Sequence, residues 1–164
     1  MGVEYNDFVK LRDKLQKMND IDAERFMISA TSEVAGRLLK EVRQRTPVGH
    51  KPKVRKEILQ MYWDGYQGGT LRRSWTVEDA KKIGMGTIGV YEAKVINPLK
   101  IASYVEKGHR QRPGRYVPAL GKRLTVSWVK GKFFLKSSED FVRSKVPQIV
   151  KKRLDEYLKK LDEE

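Results

Sequence analysis

Between Ile21 and Arg45 the apolar residues Ala23, Phe26, Met27, Ala30, Val34, Leu38 and Val42 recur at spacings of three and four, with Glu24, Arg37, Lys40 and Glu41 between them. That period lays one apolar stripe along a helix and leaves charge on its other side, so the segment reads as an amphipathic helix. It ends at Thr46-Pro47, because a residue before proline is pushed out of the helical region. Upstream, Phe8, Leu11, Leu15 and Met18 mark one face of a shorter helix, with Asn19-Asp20 as break and cap. Near the other end Val142, Val146, Ile149, Val150, Leu154, Tyr157 and Leu161 carry a further stripe, with Ser137 or Ser138 as cap and Glu139 and Asp140 in the first turn. Pro147 interrupts this stripe and predicts either a kink or a second helix starting there.

Between the stripes the pattern shortens. Leu71 to Val77 and Thr87 to Ile96 read as strands, the second rich in β-branched and aromatic residues, with Gly84 to Gly86 as the turn of a hairpin. Ile101, Ala102, Tyr104 and Val105 fit a short helix ended by Gly108. Leu124 to Trp128 and Phe133 to Leu135 read as another hairpin turning near Lys130-Gly131. Residues 47–69 hold Tyr62, Trp63 and Tyr66 without a sustained period, which predicts a long, mobile loop with a helical turn around Ile58 to Tyr62. Grouped helices and strands favour an α+β fold, with an antiparallel sheet of about four strands packed against the long N-terminal-half helix and the C-terminal helix. At 164 residues, one domain spanning 1–164 is the expectation.

Composition narrows the function classes. No window approaches the roughly eighteen apolar residues that cross a bilayer, and the N-terminus lacks an apolar core of the exported kind. No membrane role and an intracellular life are therefore expected. The chain has no cysteine, which removes disulfides and thiolate metal sites. Its net charge of +14 points to a polyanion or an acidic protein surface as neighbour. The charge is unevenly placed, since no Asp or Glu occurs from Lys107 to Lys136. Lys107, Arg110, Arg112, Arg115, Lys122 and Arg123 are thus the candidate contact face, flanked by Tyr104 and Tyr116. A second basic run, Lys51, Lys53, Arg55 and Lys56, precedes the aromatic cluster.

Catalytic patterns are missing. His50 and His109 lie in basic loops without an acidic neighbour to orient a metal ligand. There is no G-x-S-x-G, and Gly121-Lys122 lacks the upstream glycine of a phosphate loop and is followed by Arg123. The internal acids Asp64, Glu78, Asp79, Glu92 and Glu106 show no spacing that asks for a two-metal nuclease, a reading that would need an acid such as Glu106. No catalytic residue, cofactor, metal or small-molecule substrate is expected. Charge without a readout helix leaves a small, basic, non-sequence-specific nucleic-acid-binding module as one reading of the residues.

The segments RQRTPVG, TLRRSW, IASYVEKG and WVKGKFFL, in that order, resemble the signature of tailed-phage neck, head–tail joining and tail-completion proteins, a tail-component family typified by a lambdoid siphophage. Its TPV-type motif falls at Thr46 to Val48, its G-x-L-x-x-S segment at Gly69 to Ser74 and its YA-x-Y-V-E-x-G segment at Ile101 to Gly108. Two departures stand out: about twenty residues containing KPKVRK and MYWDGY separate the first two motifs, and Ile101-Ala102 stands where Tyr-Ala is usual. The resemblance implies a non-enzymatic virion protein, present in the host bacterial cytoplasm during assembly. It would form part of a ring of identical subunits at the head–tail junction through which double-stranded DNA passes, next to portal or adaptor and tail terminator or tube proteins. Lys107 to Arg123 would then face the DNA channel or the next ring, and Lys53, Arg55, Tyr62, Trp63 and Tyr66 would form an intersubunit loop.

Overall fold

The computed structural model describes residues 20–83 and 89–163. The helix expected over Phe8 to Met18 and the Gly84 to Gly86 turn lie outside these residues. The chain divides into two compact units, one made of the part up to Arg37, Val77–Lys94 and the part from Val142, the other of Leu38–Thr76 and Val95–Phe141.

Helix α1, Asp20–Arg45, follows its apolar stripe and carries Arg43 and Arg45 in its last turn, where cations suit the negative end of the helix dipole. Within the first unit Ala30 and Ala35 of α1 are buried. So are Val142, Ile149 and Leu158 of α5, Phe134–Glu163, the C-terminal helix. The Phe26 and Tyr157 rings meet with centroids 5.7 Å apart. Glu33 accepts from Arg37 Nη2 at 2.7 Å and Nε at 3.1 Å, and from Arg153 Nε. These guanidinium bonds, Arg37's first, hold the Glu33 carboxyl below the ordinary glutamate value against the opposing effect of burial. Strands β2, Lys81–Ile83, and β3, Val90–Glu92, pair antiparallel in the same unit.

The second unit is centred on buried Val42, Trp75 and Phe134, with Leu39, Leu71, Val95, Val105 and Leu135 packed against them. It holds α2, Lys56–Trp63, α3, Thr70–Arg73, and α4, Ile101–Lys107. It also holds β5, Gly108–Arg110, β6, Tyr116–Val117, β7, Lys122–Arg123, and β8, Trp128–Lys130. The remaining strands are β1, Thr76–Val77, and β4, Val95–Ile96.

The α+β class holds, but among the described residues the strands form four separate two-stranded pairs, β1 with β4, β2 with β3, β5 with β8 and β6 with β7. A single sheet of four strands is thus corrected. Leu71 to Val77 is not one strand: Leu71 and Trp75 reach the same core four residues apart, a helical spacing, and only Thr76–Val77 is extended. Nor do Phe133 to Leu135 form a strand. Phe134 opens α5, and β8 pairs back to β5 instead of forward. Ser138, expected as a cap, sits one turn inside that helix and donates to the Phe134 carbonyl at 2.7 Å. The helix runs on through Pro147, so no second helix starts there. Residues 47–69 contain the two-turn helix α2, longer than the turn expected.

Candidate functional site

Two buried joints frame the site. At the first, Thr46 Oγ1 donates to the Val42 carbonyl at 2.5 Å and accepts from Trp75 Nε1 at 2.9 Å. The Thr46 carbonyl accepts from Arg72 Nε and Nη2 at 3.0 and 2.7 Å, while Arg43 Nη2 donates to the Trp75 carbonyl at 2.6 Å. A helix end broken by Pro47 would leave carbonyls bare; Thr46 itself satisfies that of Val42, and Arg72 of TLRRSW satisfies that of Thr46.

At the second joint the Glu106 carboxylate accepts from the backbone N–H groups of Leu135 at 3.0 Å and Lys136 at 3.1 Å. It is a charged cap on the first turn of α5, where the orphan N–H groups and the positive dipole end favour an anion. With both oxygens on backbone donors, Glu106 serves as a structural group. Gly108 lies at φ 87°, and a Cβ there would overlap the Val129 carbonyl; one at Gly131 would overlap the Glu106 carbonyl. The two glycines therefore let α4 and β8 cross at backbone distance.

From this joint the chain runs out as a ribbon. β5 pairs antiparallel with β8, Gly108 opposite Lys130, His109 opposite Val129 and Arg110 opposite Trp128. Gln111 N–H donates to Ser127 O and Gly114 N–H to Leu124 O, both at 2.8 Å, and Leu124 N–H to Arg115 O at 2.9 Å. Then β6 pairs with β7, Tyr116 opposite Arg123. Residues 108–130 are thus one bonded antiparallel arm. Its tip, the 3₁₀ turn Pro118–Leu120, is held by α2, where Trp63 Nε1 donates to the Ala119 carbonyl at 2.7 Å.

All six cations of the candidate face are exposed. Arg110, Arg112 and Arg115 line one open cleft of about 690 Å³ with His109, Gln111 and Leu124. Lys122 and Arg123 lie on β7 near the tip, where Arg123 Nη1 donates to the Gly114 carbonyl at 2.7 Å. Lys107 ends α4, apart from the cleft. None of the six has an acidic partner among the described residues. His109 stacks obliquely on Tyr104 with centroids 5.9 Å apart, and its buried Nδ1 has no hydrogen-bond partner.

The second group divides. Trp63 belongs to the subunit's own packing, edge-on to Tyr66 at 5.1 Å, whereas Lys53, Arg55 and Tyr62 are exposed, as is Met61 at 74 %. The two regions read separately from sequence therefore meet, at Trp63 and Ala119. The ribbon also brings in residues that sequence reasoning passed over. Lys130, Val126 and Trp128 join Arg110 and Arg112 on its exposed side, and the pairing of 108–110 with 128–130 that places them has no local signal.

Among the described residues no His, Asp and Glu cluster could hold a metal, and no helix is long and apolar enough to cross a membrane. Residues 9–108 match the HK97-gp10-like family, described as "Bacteriophage HK97-gp10, putative tail-component". That is more than half of the 164-residue chain. The chain belongs to this family and is a structural component of the phage tail region, hence of the virion. No curated protein and no solved structure matches it. The match takes in both motif-bearing sides of the Thr46–Trp75 joint and Glu106, and it stops at Gly108, where the ribbon begins.

Proposed function

We propose that this tail component forms part of a ring of identical subunits at the head–tail junction, around the path of double-stranded DNA. The observation that carries the proposal is the ribbon itself: exposed cations with no acidic partner among the described residues, fixed on an arm bonded along its length and anchored at both ends. Such an arm keeps its charge in one place at low conformational cost, which suits a surface completed only by other molecules. Cations held out on such an arm meet a duplex through its phosphates, a contact that is independent of sequence. Copies of the chain, portal or adaptor proteins and tail terminator or tube proteins are the other partners, and the exposed residues Lys53, Arg55 and Tyr62 are assigned to the neighbouring subunit.

The test is charge reversal of Arg110, Arg112 and Arg115 together to Glu. The variant folds, with an unchanged far-ultraviolet spectrum, and fails to support joining of heads to tails. Infectious particles at the normal titre would refute the assignment. The rival, a free nucleic-acid-binding module, predicts instead a monomer or dimer that is absent from purified particles and whose duplex affinity falls steeply with salt.

A further inference from the structure

We infer that the outer side of the ribbon docks onto an acidic protein surface with an apolar slot, and that Trp128 is the anchor that fills it. This rests on the tail-component reading and decides between DNA and protein as the occupant of the same face. Directly opposed residues of an antiparallel pair project to one side, so Trp128 lies beside Arg110. Alternation brings Arg112, Val126 and Lys130 to that side as well, and all five are exposed. The face therefore sets Trp128 and Val126, 52 % and 49 % exposed, on one strand beside Arg110 and Arg112 on the other, with Lys130 following Trp128 along its strand.

That composition separates the two occupants. A duplex offers phosphates to cations and keeps its bases stacked, so it would satisfy Arg110, Arg112 and Lys130 while leaving Trp128 and Val126 wet. A protein with carboxylates around an apolar slot covers both, and Trp and Arg at the centre of a patch are the residue types that dominate protein docking. A second copy of this chain fits less well. Two copies of this face offer each other no carboxylate, since no Asp or Glu occurs from Lys107 to Lys136, and like charge opposes that contact.

The experiment compares the full chain with Trp128→Ala, Trp128→Phe and Val126→Glu. Each is scored for incorporation into particles by mass spectrometry and for affinity to a 30-base-pair DNA duplex. Trp128→Ala and Val126→Glu are expected to fold, to be depleted from particles by about tenfold or more, and to bind the duplex within about twofold of the unaltered chain. Trp128→Phe, which keeps an aromatic plug, is expected to recover most incorporation. Normal incorporation of Trp128→Ala or Val126→Glu overturns the inference. A parallel tenfold loss of duplex affinity overturns it too, by making DNA the occupant, and so does failure of both to fold, which would make the face part of the subunit's own packing. Absence of the unaltered chain from particles would instead overturn the head–tail ring reading.

Discussion

The Thr46–Trp75 joint and the 108–130 ribbon belong to the same compact unit and are built on opposite terms. In the joint every strong polar group named is satisfied inside the protein, and Thr46 is fully buried. In the ribbon the backbone is bonded across the arm and the charge is left outward: among the described residues its cations have no acidic partner, and a tryptophan stands half exposed. The family match covers the first and ends where the second begins. Within the matched stretch lie the residues that close the joint, and the charge proposed to meet other molecules lies in the stretch that follows.

Trp75→Ala should therefore have the largest effect of any single change. The side chain is 3 % exposed in the centre of the core, edge-on to Phe134 at 6.1 Å. Removal leaves a cavity and strips Thr46 Oγ1 of its donor, at a cost of about 3–5 kcal/mol. That is a large share of a typical domain's stability, and loss of the cooperative thermal transition is the expected readout. Trp75→Phe keeps the ring and loses the hydrogen bond, for about 1–2 kcal/mol. A Trp75→Ala chain that melts like the parent would mean that the joint does not hold the unit together.

Glu106→Ala comes next. It leaves the N–H groups of Leu135 and Lys136 without acceptors at the start of α5, costing about 1–3 kcal/mol by chemical denaturation. Faster hydrogen exchange should be confined to the first turn of α5, and unchanged exchange there would remove Glu106 as its cap. The joint and the ribbon would then differ less than their polar satisfaction suggests.

How much of this was legible in the sequence follows from the range of the forces involved. The apolar stripe of α1 and the glycine stop of α4 are local, and both stand where the pattern puts them. The pairing of β5 with β8 spans about twenty residues and depends on two glycines that let backbones touch, which no periodicity encodes. For the same reason Phe133 to Leu135 looked like a strand: Phe134 and Leu135 are apolar because they enter the core as a helix opens, not because they alternate. The cations of the candidate face were legible as a charge run. That Trp128 and Val126 complete their face required the register.

The smallest effect belongs to a charge cluster that is neither buried nor bare. Glu33 accepts from Arg37 and Arg153, and its side chain is 20 % exposed against 51 % and 41 % for the two arginines. Solvent screens such pairs, so Glu33→Gln should cost only about 0.5 kcal/mol at neutral pH. Its pH dependence is more telling than its size. Because folding lowers the carboxyl below 4.5, the ionised form is the one stabilised. The contribution is complete above 4.5 and disappears as pH falls through the folded value. Urea melts of parent and variant should differ by a constant amount from pH 8 to pH 5 and converge in more acid solution. A difference that grew on acidification would mean that the two guanidinium groups do not hold Glu33 ionised. Neutralising Arg110, Arg112 and Arg115 to Gln should show no such convergence, since among the described residues these cations have no carboxylate partner to titrate, and that contrast separates charge used inside the subunit from charge held out for another molecule.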